Sequence, residues 1–201
     1  MKACENKTIT FAITLIGVVF ILFAVFLVFA YEITSSRNAK NAKNVVPVIL
    51  SLMPEATDGV LDDRVNKDMP ALEVEGENFV GIVDVPAYSV SLPVKSAWDK
   101  WDVLKYPCRY EGSIYEENLI IGGCDNEGQF DFLENISIGD SVFITDVTGA
   151  RYSYAVSDIK DIKKASKDEF YNFEYDVLLF SKKTFGKGYT VAACKFKNKL
   201  K

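Results

Sequence analysis

The 201-residue sequence contains no histidine. Histidine is the commonest general base and the usual partner of a serine or cysteine nucleophile, so the ordinary Ser/His and Cys/His catalytic pairs are excluded. The four cysteines are Cys4, Cys108, Cys124 and Cys194, and no two of them have the CxxC spacing of a zinc site or a thioredoxin-type pair. The sequence therefore predicts no metal site, and we expect no cofactor.

Basic residues are also in deficit. The chain has 23 lysines and arginines against 28 aspartates and glutamates, which gives a net charge of −5 at pH 7. A protein that binds nucleic acid needs a concentration of basic side chains to meet the phosphates. We therefore expect no nucleic-acid partner.

One long apolar run is present near the N-terminus. No charged residue occurs between Thr8 and Tyr31, and about 20 apolar helical residues cross a bilayer core. A signal peptide cleaved after Ala30 is the alternative, but the apolar region of a signal peptide is only about 7–15 residues long. We therefore predict a short tail over residues 1–7 and a membrane anchor over residues 8–31. Basic residues flank the run on both sides, so charge does not fix its orientation.

The composition and periodicity of the rest of the chain change near residue 79. Residues 32–78 are polar and weakly periodic, which predicts a stem with one short helix near Val45–Met53. From Phe79 onward, short β-rich segments alternate with turn residues, and "SVFITDV" and "RYSYAVSDI" flank "TGA" as a hairpin. Residues 79–201 are therefore predicted to form an all-β domain with short helices, a closed barrel of seven or eight strands.

Three blocks of this domain carry a family resemblance: "NLIIGGCDNEGQFDFL", "GDSVFITDVTGARYSYAV" and "LLFSKKTFGKGYTVAACKF". In this order they resemble the "LVIAGHN", "GDxVxFTDxxGxxYxYxV" and "LTLFTCTxGGxxRVVVRC" blocks of class B and D sortases. The resemblance implies a sortase-like barrel on the outer face of a Gram-positive cell, anchored through a helix whose N-terminus is cytoplasmic. It also implies a cysteine transpeptidase that acts on LPxTG-type sorting signals.

The catalytic residues of that family are missing from the matching positions. The family histidine, which protonates the leaving amine, corresponds to Cys124, the nucleophilic cysteine to Lys182, and the oxyanion-stabilising arginine to Ala193. Loss of a nucleophile or its proton-transfer partner commonly costs about a million-fold in rate. The resemblance therefore implies a non-catalytic homologue that binds a sorting peptide, a pilin or a partner sortase.

Two alternative interpretations retain a link to catalysis. Cys124 paired with Lys182 could be a relocated nucleophile, because a lysine ammonium beside a thiol lowers the thiol pKa. The sequence could also be an altered copy of an active sortase. By the same resemblance, Cys108 and Cys194 match cysteines of relatives and are candidates for an extracellular disulfide.

Overall fold

The computed structural model describes residues 2–55, 57–59, 68–183 and 187–197. The chain divides into two compact units, Met1–Arg37 and Asn38–Lys201. The helices are α1 Lys2–Leu52 and α2 Lys167–Phe170, with 3-10 turns at Pro86–Tyr88, Asp102–Leu104, Ile114–Glu116 and Asp131–Glu134. The strands are β1 Thr57–Asp58, β2 Leu72–Val74, β3 Glu77–Val85, β4 Val90–Lys95, β5 Cys108–Glu111, β6 Leu119–Cys124, β7 Ser141–Asp146, β8 Ala150–Ile162, β9 Val177–Lys182 and β10 Tyr189–Phe196.

The first unit contains one apolar helical segment that is long enough to cross a membrane. Ile13–Tyr31 has a mean hydropathy of 3.1, and none of it is buried. Large apolar side chains such as Phe20 are 68% exposed. Exposure of so much apolar surface to water is unfavourable, so the segment suits a lipid environment, and both a membrane span and a signal sequence have this composition.

The second unit is a closed β-barrel, which confirms the predicted fold class. Its sheet runs β1-β8-β10-β9-β6-β5-β4-β3-β2, and β7 pairs with both β3 and β8. The eight strands β3 to β10 therefore form a ring with no free edge among them. The predicted hairpin is present, because Ser141 pairs with Ala155 and Thr145 pairs with Arg151 across the turn at Gly149.

Strands β6, β9 and β10 are buried on both faces. Inside the barrel, alternate residues such as Leu119, Leu179 and Ala192 join the main core. The residues between them point outward, because successive side chains of a strand face opposite sides of the sheet. They form a second apolar group, here called the outer cluster: Ile120, Phe170, Phe173, Leu178, Phe180, Val191 and Ala193. Burial on both faces explains why "VLLF" in β9 is continuously apolar rather than alternating.

The end of α1 belongs to the second unit. Val45, Val46 and Ile49 are buried in one cluster with Phe79 and Ile82 of β3. Their spacing places them on one side of a helix, which gives the polar segment a single apolar stripe. The second unit thus begins at Asn38, within the segment for which the sequence suggested a stem.

Candidate functional site

Three strands of the barrel bring their ends together at one place. β6 and β9 are parallel neighbours, and Cys124, the last residue of β6, pairs with Lys182, the last residue of β9. On the other side of β9, Lys182 pairs with Tyr189, the first residue of β10. Paired residues on neighbouring strands lie about 5 Å apart and share a face of the sheet. Cys124, Lys182 and Tyr189 therefore form one row, here called the strand-end row.

The strand-end row lies on the outer face of the barrel. Two residues further along each strand, the paired positions are Gly122, Phe180 and Val191, and both Phe180 and Val191 belong to the outer cluster. Because side chains alternate with period two, Lys182 and Tyr189 point to the same side as these residues. The row therefore sits at the end of an apolar outer surface.

Aromatic rings cover this surface next to the row. Phe180 stacks on Trp98 with ring centroids 5.6 Å apart, and it also contacts Tyr110 at 5.5 Å, Phe170 at 4.9 Å and Tyr189 at 6.1 Å. These five residues are called the ring cluster below. A Cβ at Gly122 would lie 2.3 Å from the Trp98 ring and 2.5 Å from the Phe180 ring. Glycine at position 122 is therefore required for the two rings to approach the sheet.

The turn after β6 fixes Cys124 from the backbone. Its N–H donates to Oε1 of Gln129, and its carbonyl accepts from the Phe130 N–H at 3.0 Å. The buried Gln129 side chain in turn donates through Nε2 to the Val103 carbonyl at 3.2 Å. These hydrogen bonds hold the backbone of Cys124 in place at the start of the turn.

The electrostatic surroundings keep the Cys124 thiol protonated. Burial and, to a smaller extent, the neighbouring Asp125 raise the pKa of Cys124 to about 11, and the opposing effect of Lys182 is the smallest of the three. A reactive cysteine needs surroundings that stabilise its thiolate. The environment of Cys124 does the opposite, although Lys182 is its partner in the row.

Ala193 does not join Cys124 and Lys182. It pairs with Leu178 and is fully buried in the outer cluster, four residues along β10 from Tyr189, a distance of about 13 Å. A group that stabilises an oxyanion must reach the atom attacked by the nucleophile. If Lys182 holds the nucleophile position, the facing residue on β10 is Tyr189, which sequence reasoning missed. Counting strand pairs back from the β9–β10 connection would have identified it.

The disulfide suggested for Cys108 and Cys194 is absent, because both thiols are free and buried. Cys108 pairs with Gly122 and so shares its outer face, whereas Cys194 belongs to the inner core. The strand order β10-β9-β6-β5 separates them by three strand spacings, about 14 Å along the sheet. Disulfides need Cα atoms within about 7 Å and side chains that converge, so this pairing is wrong for this fold.

Two of the cavities that the described residues line are on the barrel surface. The larger, of about 550 Å³, is bounded by Ser96, Trp98, Arg109, Tyr110, Glu111 and Glu116. The second, of about 500 Å³, contains Arg151, which donates to Asp84 at 2.7 Å and to Thr145 at 3.2 Å. Within the described ranges, no group of three Cys, Asp or Glu residues is arranged to hold a metal ion.

Comparison with solved structures identifies the architecture. Sortase C1 of Streptococcus agalactiae superposes with a TM-score of 0.55 at 16% identity, over 85% of this chain and 93% of its own. A Clostridium perfringens sortase D5 gives 0.52 at 13% identity over 81% and 98%, and Listeria monocytogenes sortase A gives 0.50 at 19% identity over 59% and 87%. The chain has a sortase-like fold.

No protein-family model and no curated protein matches the sequence. At these identities the likeness concerns the fold rather than the chemistry. What the sortase-like barrel does here depends on its own residues at the strand-end row and on the outer surface.

Proposed function

We propose that this protein is a membrane-anchored, non-catalytic relative of the sortases that binds a sorting-signal peptide, a pilin or a partner sortase at the surface of a Gram-positive cell. One observation carries the proposal: the last residue of β9 is the exposed Lys182, and its neighbour Cys124 is a protonated thiol. The strand-end row holds no thiolate.

The chemistry of transpeptidation explains why this row is inactive. A cysteine transpeptidase attacks a peptide carbonyl with a thiolate, protonates the leaving amine and stabilises an oxyanion. The chain has no histidine, the ammonium of Lys182 forms no thioester, and Tyr189 carries no positive charge. Because such groups act together, their loss costs about a million-fold or more in rate.

The outer surface nevertheless suits an extended apolar peptide. Trp98 remains 37% exposed over the ring cluster, and aromatic side chains supply much of the binding energy of peptide interfaces. Lys182 at the end of this surface offers an ammonium to the carbonyl or carboxylate groups of a bound chain. These features support binding without cleavage.

Calorimetry on the full chain in detergent, titrated with an LPxTG-like peptide, tests the proposal. We expect saturable binding, no cleavage, and affinity at least several-fold weaker after Lys182→Glu. Lys164→Glu makes the same charge change at an exposed residue outside the row and is expected to bind normally. Absence of binding at millimolar peptide would reject the sorting-signal peptide as the ligand.

A second function, transpeptidation through Cys124, is suggested only by its pairing with Lys182. This alternative requires an acyl-enzyme with the peptide joined to the Cys124 sulfur. Mass spectrometry after incubation with the sorting peptide would reveal that adduct, and Cys124→Ser would remove it.

A further inference from the structure

The turn between β4 and β5 exposes two large apolar side chains that the strand-end row does not use. Trp101 is 65% exposed and Leu104 is 40% exposed. Trp101 directly precedes the 3-10 turn Asp102–Leu104, and side chains three residues apart lie on the same side of a 3-10 helix. Trp101 and Leu104 therefore form one apolar patch, here called the turn patch.

The turn patch is anchored from its inner side. The Asp99 carboxylate accepts from the N–H of Trp101 at 2.7 Å and from the N–H of Asp102 at 3.2 Å. The Asp102 carboxylate accepts in turn from the ammonium of the buried Lys95 at 2.6 Å. Val103, between the two exposed residues, is buried in the barrel. The turn is thus fixed to the barrel while the indole of Trp101 stays exposed.

Two basic side chains flank the turn patch. Lys100 and Lys105 are both exposed, and Nζ of Lys100 lies 5.3 Å from the centre of the Trp101 ring. The exposed carboxylate of the turn, Asp99, accepts from two backbone N–H groups, which lower its pKa. The chain as a whole has a net charge of −5. Ammonium groups beside an exposed indole therefore distinguish this turn from the acidic chain that carries it.

An exposed tryptophan and leucine between lysines suit a lipid–water interface. Tryptophan is enriched at this interface because its ring is apolar and its N–H is polar. Lysine places its methylene stem along apolar surface and its ammonium near anionic headgroups. The same chain contains Ile13–Tyr31, which is apolar enough to cross a membrane. A chain tethered in this way has a high effective concentration at the bilayer surface.

We infer that the turn patch docks on the surface of the bilayer that the proposed anchor crosses. Trp101 and Leu104 lie at the boundary between headgroups and acyl chains, and Lys100 and Lys105 lie beside lipid phosphates. The inference rests on the membrane anchoring in the proposed function and is independent of the proposed peptide binding. Docking gives the barrel a second attachment to the membrane, which restricts its rotation about the tether.

Quenching of Trp101 by brominated lipid tests the inference. The chain has two tryptophans, so Trp98→Phe leaves Trp101 as the only indole. The full chain is reconstituted into phosphatidylcholine vesicles, with or without bromine near the headgroup end of one acyl chain. Interfacial side chains reach about 5–10 Å into this region, so we expect bromine to lower Trp101 fluorescence about twofold. The difference in quenching between the wild-type chain and Trp101→Phe gives the same quantity without a change at Trp98.

An indole at position 138 provides the matched control. Ile138 is 69% exposed and lies close in sequence to Asp140, which accepts from Tyr88 in the turn between β3 and β4 at 3.0 Å. The length of β4 separates that turn from the turn patch. With both native tryptophans replaced by phenylalanine, Ile138→Trp is expected to show no quenching. Equal quenching at both positions would indicate general adsorption of the barrel and would overturn the inference.

Lipid charge and an alkaline wash complete the test. Anionic phosphatidylglycerol in the vesicles should increase the quenching of Trp101, and Lys100→Glu combined with Lys105→Glu should abolish that increase. Unquenched Trp101 in vesicles that retain the protein through an alkaline carbonate wash would overturn docking and leave the anchor intact. Release of the chain by the wash would reject the anchor and docking together.

Discussion

The reactivity of Cys124 provides the sharpest test of the proposal that the strand-end row is inactive. Its pKa is about 11 against an ordinary value of 9.0. At pH 8 the thiolate fraction therefore falls from about one in ten to about one in a thousand. A more basic thiolate is intrinsically more nucleophilic, and a Brønsted slope of about 0.4–0.5 restores roughly tenfold. We thus expect Cys124 to react at pH 8 about tenfold more slowly than an ordinary free thiol.

The assay is the release of thiopyridone from 4,4′-dithiodipyridine, followed from pH 6 to 11 on the full chain. Cys4→Ser leaves Cys124 as the accessible thiol, because Cys108 and Cys194 are fully buried. The rate should rise about tenfold per pH unit up to about pH 10 and less steeply as the pH approaches the pKa of about 11. Asp125→Asn should shift the profile to lower pH, and Lys182→Met should shift it to higher pH. A plateau below pH 9 would refute the assigned protonation state and favour the relocated nucleophile.

Three stability predictions follow from the same structure, each measured by urea unfolding of the full chain in detergent. Gly122→Ala would push a methyl group into the Trp98 and Phe180 rings. We therefore expect the free energy of unfolding to fall by about 1–3 kcal/mol and the Trp98 fluorescence to change. Unchanged stability would contradict the assigned packing. Lys95→Met removes the cation that is paired with Glu77 and Asp102. Because these carboxylates are about a third exposed, we expect the free energy of unfolding to fall by about 2 kcal/mol, which is less than for a fully buried pair. Burial raises the pKa of the Cys194 thiol to about 12, so above pH 9 this thiol ionises in the unfolded chain before it ionises in the folded protein. Its ionisation should lower the free energy of unfolding by about 1.4 kcal/mol by pH 10. Cys194→Ala should abolish this loss.

The sequence predicted the barrel because its local signals agree with the final topology. The alternation on both sides of "TGA" has a period of two, and it becomes the β7–β8 hairpin with Gly149 at a φ of +84°. Strand number also followed from local patterns. The parallel pairing of β6 with β9 joins residues about sixty positions apart, and no local pattern encodes that contact; only the family resemblance supplied it.

The candidate site was predicted less completely. The family resemblance implied that Cys124 and Lys182 lie close together, and the pairing of β6 with β9 makes them neighbours. Ala193 was matched through a gapless alignment that ends on Cys194, but strand pairing fixes which residue of β10 faces Lys182, and the alignment carries no pairing information. The spacing of Trp98, Trp101 and Leu104, three residues apart in each case, is typical of one side of a short helix. Instead a 3-10 turn covers only Asp102–Leu104, and Trp98 leaves it to stack on Phe180.

The position from which an oxyanion-stabilising group could reach the strand-end row yields a final prediction. In a background of Cys124→His and Lys182→Cys, an arginine can be introduced at Tyr189 or at Ala193. At Tyr189 the guanidinium faces the new thiol across one strand spacing, whereas at Ala193 it enters a fully buried apolar cluster about 13 Å away. We expect the Tyr189→Arg combination to fold and to cleave a sorting peptide, and the Ala193→Arg combination to lose at least 3 kcal/mol of stability without cleavage. Cleavage by the Ala193→Arg combination, but not by the Tyr189→Arg combination, would show that the strand register is wrong. The strand-end row would then be wrong as well.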